Sequence, residues 1–325
     1  MDVYGNTGSG NINVPGMLKS NCYLLFGGFV MIFTYVFHTP RMIFLQNIMV
    51  VSSNIPAESF NRIAKFVHAK DLLGFIFLIV HLPNAYAPEI HTSLRVMTYL
   101  YITMVVYLAD MQYINCVFVI KICFESVDKT LKSLEKTMVN EEPHLLRRNY
   151  HEQNNELLLM KLRNLQKHHH QVSDVLKKLN STYGLHAVAT VIMTFSEITF
   201  ILYFFILKLL DQHSNVQEQI WDFNLLLTMM FYILKLILIV WVCEKGKTQA
   251  KQIGSTVHDV LLNTFDLKIK EELHLFSLQL LHRKNVFYAR GLAIDSSLLN
   301  EIAGAITMYL LILIQFHLSA ASCKT

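Results

Sequence analysis

Long apolar stretches with almost no charge recur along this chain, and they constrain its fold more than any other feature. About 20 such residues in helical form cross the roughly 30 Å hydrocarbon layer of a bilayer. Six segments qualify: 22–51, 72–88, 96–123, 184–210, 225–243 and 300–320. The second is weakened by His81 and Pro83, and the first contains Pro40. We read the first as one long helix kinked at Pro40, with two short crossings as the alternative. The fold class that follows is an all-α, polytopic helical membrane protein. With 12 Gly and 6 Pro in 325 residues, little of the chain is left for disordered segments. The opening residues Met1 to Gly5 predict no cleavable leader, having neither a basic nor an apolar region.

Charge sets the expected orientation. The loop 121–183 holds 11 Lys/Arg and the loop 244–299 holds 8, whereas the connections 84–94 and 211–224 hold none. The positive-inside bias puts both basic loops in the cytoplasm. The C-terminus, one crossing further on, is then extracellular at a plasma membrane. A net charge of +4 spread over membrane-side loops gives no nucleic-acid stripe. Five cysteines without CxxC spacing and no nucleotide loop or catalytic constellation leave no enzyme, cofactor or metal reading. His168, His169 and His170 are adjacent, so on a helix they point in different directions and do not form one metal site.

The basic loops are themselves patterned. Phe124, Val127, Leu131, Leu134 and Met138 continue an apolar stripe beyond the third span. Leu158, Leu162, Leu165, His169, Val172, Leu176 and Leu179 form a more regular one at alternating spacings of four and three. Ile253, Val257, Val260 or Leu261, and Phe265 form a third. Such seams bury one helix face against other helices. The helices 124–183 and 244–299 are therefore expected as a cytoplasmic packing domain holding spans or subunits together. Leu158, Leu162, Leu165, Val172 and Leu176 are its assembly residues, and Phe276–Asp295 is expected as a helix beneath the last span.

That last span carries Tyr309 near its middle and Gln315 near its end. A carboxamide in hydrocarbon is costly unless it faces protein or water, so the Gln315–Phe316 pair marks a place to look for a pore. On a helix Met308, Ile312, Gln315 and Ser319 share one face. In the outer halves of the other spans, His81, Asp110, Glu197 and Tyr203 are polar groups in apolar surroundings and candidate ligand contacts.

The segment from Phe276 through Arg290-Gly291-Leu292 to Gly304 and Phe316 resembles the C-terminal signature of insect gustatory receptors. That signature is Thr-Tyr, five hydrophobic residues, then Gln-Phe. Here Met308 precedes Tyr309 and the threonine stands one place earlier, at Thr307. The stretch from Leu179 to Gly184 and the order of spans are also similar to that family, although the chain looks as if it lacks the first of seven spans. The resemblance implies a homo- or hetero-tetramer with other gustatory receptors, a non-selective cation channel opened by a small-molecule tastant in lipid. It places Ile312, Gln315 and Phe316 at the pore and gate, with Tyr309 beside them. Two alternatives are a non-conducting or truncated subunit that modulates partners and a G-protein-coupled receptor. The latter calls for a cytoplasmic C-terminus and an acidic-Arg-aromatic triplet, and Lys121-Ile122-Cys123-Phe124 stands in its place.

Overall fold

The computed structural model describes residues 14–53, 55, 57–81, 90–140, 148–210, 216–264 and 266–322. The elements are α1 (Val14–Val36), α2 (His38–Ser52), α3 (Ala57–His81), α4 (Ile90–Asn140), α5 (Arg148–Leu210), α6 (Val216–Asn263) and α7 (Leu267–His282). They are followed by strands β1 (Tyr288–Ala289) and β2 (Leu292–Ala293), then α8 (Ser296–Ser322). Among the described residues five helical stretches are long and apolar enough to cross a membrane: Gly16–Val36, Met97–Met138, Glu156–Leu209, Leu225–Asn263 and Ser296–Ser319. The segment expected as a second crossing, 72–88, falls on the end of α3 and on residues 82–88, which lie outside the described residues.

The expected long first helix is divided, and the break sits at Phe37 rather than at Pro40. The cause is still the proline. Lacking an N–H, Pro40 cannot bond the carbonyl four residues earlier, at Val36, and its ring crowds that group. The bonds on either side survive, from Phe37 N to Phe33 O and from Arg41 N to Phe37 O, both at 2.9 Å. Beyond the kink, α2 turns inward and buries Phe44, Ile48 and Val51 against α4 and α5.

At ~1.5 Å per residue, α4, α5 and α6, with 51, 63 and 48 residues, extend roughly 75, 95 and 70 Å. Each outruns a hydrocarbon layer and continues into a layer of helices beyond it. There Phe124, Val127, Leu131, Leu162, Val172, Leu176, Ile253, Val257, Leu273 and Phe276 share one buried core. α7 closes this layer. Its N-terminus is capped by Asp266, whose carboxylate accepts from Lys268 N at 2.8 Å and Ile269 N at 3.2 Å. Ion pairs then pin it to α5, with Arg163 Nε 3.0 Å from Glu272 and Arg283 Nη1 2.6 Å from Asp174.

The helix expected to run to Asp295 stops at His282. Residues 283–295 instead form an extended passage and a hairpin that pairs Tyr288 with Ala293 and Ala289 with Leu292. Arg290 (φ 52°) and Gly291 (φ 95°) both take the left-handed backbone that a two-residue hairpin loop requires. The hairpin lies against α5 at Gly184, with Ala289 buried. It redirects the chain from α7 into α8.

Candidate functional site

Where α4, α5 and α6 meet, four polar side chains converge. Asp110 of α4 is 1% exposed. Its Oδ1 accepts from Thr190 Oγ1 at 2.9 Å and lies 3.0 Å from His186 Nε2, while Lys235 Nζ is 3.0 Å from Oδ2. His186 and Thr190 reach the same carboxylate because they stand one helical turn apart on α5. His186 Nδ1 is buried without a hydrogen-bond partner among the described residues. That assigns the proton to Nε2, which donates to the carboxylate, since a buried N–H left unbonded costs more than a lone pair. An ion pair in such surroundings stands because both charges are present. Removing one leaves the other uncompensated, at about 3–5 kcal/mol.

The polar face of α5 continues through Thr194 to Glu197, both buried, and Glu197 faces Lys19 of α1 at 3.9 Å. Against this face lies a narrow cavity of about 10 Å³, lined by Tyr23, Thr103, Val106, Tyr107, Met193, Phe231, Tyr232 and Lys235. Tyr23 is hydrogen-bonded to Thr103, and Tyr107 Oη donates to Asp71 O of α3 at 3.1 Å. Gly74 makes that last approach feasible, because a Cβ there would overlap the Tyr107 ring. Apolar walls with a few placed polar groups here enclose room for about one water.

The ligand candidates read from sequence scatter about this centre. Asp110 belongs to it, though it meets the cavity only through Lys235. Glu197 lies further along the same helix face. Tyr203 stands apart, its Oη 3.4 Å from His317 Nδ1, so that it links α5 to α8. The His81 side chain lies outside the described residues. Sequence reasoning missed Lys235, His186 and Thr190. Lys235 left a signal, being the only charged residue in 225–243, and an intramembrane charge marks function or a buried partner.

The terminal helix is the second place of interest. Ile302 is buried, and Ile306 packs on the core. Tyr309 stacks edge-on against Phe195 at 5.7 Å, which puts it beside its own bundle. Ile312 is half-buried. Met308, Leu311, Gln315, Phe316 and Leu318 are exposed, Phe316 by 72%. The start of α8 is fixed from below by Asp295. Its Oδ1 accepts from Ser297 Oγ at 2.6 Å and Ser297 N at 3.1 Å, and its Oδ2 pairs with Lys247 of α6 at 2.9 Å. The Ser297 bonds and Lys247 push the Asp295 carboxyl down to about 2.

In the helical layer Leu158, Leu162, Leu165, Val172 and Leu176 are all buried within one chain. These assembly candidates thus join α5 to its own neighbours. His169, in the same seam, is also fully buried. Its ring lies between Phe124 and Phe276, with Gln279 3.1 Å from Nδ1 and Asn285 3.3 Å from Nε2. Burial pushes this imidazole down to about 4, so it is a neutral core residue at physiological pH.

Long helices of span length that share a packed layer and leave a terminal helix at the margin define an all-α polytopic membrane protein. The profile of the 7tm chemosensory receptor family matches residues 41–320, and the chain belongs to that family. It is 30% identical over 152 residues to a protein named as gustatory receptor 28b of Drosophila melanogaster, covering 46% of this chain and 32% of that one. A second, named as gustatory receptor 28a, is 39% identical over 93 residues, 28% of this chain and 21% of the relative. The matches thus span about a third or less of these relatives' own length. In fold the chain is similar to the olfactory receptor OR5 of Machilis hrabei, with a TM-score of 0.62 at 11% identity, over 93% of this chain and 87% of that one. The same receptor in complex with eugenol gives a TM-score of 0.59 at 12% identity, with the same coverage.

Proposed function

We propose that this chain is a gustatory receptor subunit of the plasma membrane, in which binding of a small-molecule tastant opens a non-selective cation pore. The observation that carries the pore is the open face of α8. A 24-residue apolar stretch with only 11% of its most apolar window buried presents Gln315 to its surroundings, and an amide turned to lipid has no hydrogen-bond partner. Four copies of the helix around an axis give that amide water and symmetry mates. Ile312 and its aliphatic neighbours then form a constriction that closes by dewetting, while neutral carboxamides replace part of a cation's hydration without trapping it. Tyr309 steadies the helix through Phe195, and Phe316 packs on a neighbouring subunit.

The tastant site lies among the spans where α4, α5 and α6 meet, with Asp110 and Lys235 at its base and Glu197 along the same face. Eugenol, the ligand of the OR5 complex, is a small aromatic molecule, which supports a ligand of that size. The positive-inside bias supports a cytoplasmic packing layer and an extracellular C-terminus. Partners are further copies of this chain or other gustatory receptors. The test is ligand-evoked current from the chain expressed alone and with relatives. Currents whose ion preference changes in Gln315→Ala support the pore, and unchanged currents at equal surface expression overturn it.

A further inference from the structure

One turn of α6 carries three links to the foot of α8. Gly246 lies against the ring of Phe287, which is buried and stands just before β1. A Cβ at Gly246 would come within 2.7 and 2.9 Å of that ring, closer than real contacts allow. Lys247 Nζ donates to Asp295 Oδ2 at 2.9 Å, and the backbone N–H of Ser296, the first residue of α8, donates to Glu244 Oε2 at 3.4 Å. Glycine weakens a helix interior relative to alanine, and the Phe287 seat supplies the reason for one at position 246. Gly254, further along the same helix, meets nothing within 4 Å and provides the contrast.

The gripped segment is itself tied together. Ile294 N donates to Phe287 O at 3.0 Å, closing the base of the hairpin, and Asn180 Nδ2 of α5 donates to Val286 O at 2.9 Å. In the other direction, Lys235 stands on the same unbroken helix, about 17 Å away at ~1.5 Å per residue. A helix is stiff over that length, so a shift of α6 at the Lys235–Asp110 pair arrives at the turn 244–247. Only 11% of the most apolar window of α8 is buried, so its foot largely sets its tilt.

We infer that the turn 244–247 is a coupling joint. Gly246 and Lys247 position the foot of α8, and through them α6 passes movements at the Lys235–Asp110 pair to the terminal helix. This rests on the receptor reading and states how its site and its pore helix communicate.

Hydrogen exchange read by mass spectrometry tests it, with the full chain in lipid nanodiscs. Gly246→Ala overpacks the seat and raises exchange over residues 284–300 about tenfold, while α7 is unchanged. Gly254→Ala, the control for the substitution itself, changes neither. Adding Phe287→Leu to Gly246→Ala makes room for the methyl and returns exchange toward the original rate. The neutral pair Asp110→Asn/Lys235→Met, which unties α6 from α4, also raises exchange over 284–300. In the Gly246→Ala background it adds little, because coupled changes do not sum. An unchanged foot in Gly246→Ala overturns the inference. So does a rise spread evenly over all helices, which marks a general loss of stability, or site and seat effects that simply add. Because the readout is exchange, absent currents leave this test intact, and its failure leaves the pore reading untouched.

Discussion

The packing layer and the terminal helix were built to opposite specifications. In the layer, Phe124, Leu131, Leu162, Val172 and Phe276 are fully buried inside one chain, whereas only 11% of the most apolar window of α8 is buried. The layer's leucines, from Leu158 to Leu179, meet partners within the same protomer, whereas Met308, Leu311 and Gln315 meet none of comparable extent. The layer is complete in one chain. The terminal helix finds its surroundings elsewhere, in lipid or in further copies. The hairpin and the Asp295 cap join the two, holding an uncovered helix at a set angle on a rigid base.

The contrast is broken most severely by charge inside the layer. Leu162→Asp places a carboxylate at a fully buried seam position and is expected to cost about 4 kcal/mol or more. The protein then aggregates or is lost on detergent size-exclusion chromatography, and a normal elution profile contradicts a core role. Next comes Lys235→Met, which strands Asp110 and costs about 3 kcal/mol. It lowers the thermal midpoint, and Asp110→Asn added to it restores most of the loss.

A smaller effect belongs to the junction. Asp295→Ala removes a helix cap and costs about 1 kcal/mol, read as a modest drop in midpoint. Asp295 titrates lower in the folded chain than its ordinary 3.8, so its contribution is present above pH ~4 and lost as pH falls through about 2. The alanine variant therefore loses that step of acid sensitivity. The smallest effect on stability is expected from Gln315→Ala, within about 0.5 kcal/mol, yet it alone of the four changes conductance without changing size. A large destabilisation there would mean that the amide is bonded inside its own protomer.

Much of this was legible beforehand because it depends on local pattern. Seams at spacings of four and three continue past the spans, and α4, α5 and α6 run on for the length those seams imply. The motif ending in Gln315 and Phe316 pointed to the family that the profile match later showed. The hairpin was missed, although Arg290-Gly291 signalled a turn, because the helical pattern around it was read straight through. The Lys235–Asp110 pair was missed because its members stand 125 positions apart on two helices. Periodicity within one helix says nothing about which turns of two helices end up level.

The amino-acid order by itself determined which segments prefer hydrocarbon and which faces of the long helices are apolar, since burial of nonpolar surface and helical period act residue by residue. Only the tertiary arrangement decided that the leucine seams are satisfied within one chain, that Lys235 compensates Asp110 beside a cavity, and that the last helix is left uncovered. Those outcomes depend on the distances between helices, and distances arise only when the whole set is packed.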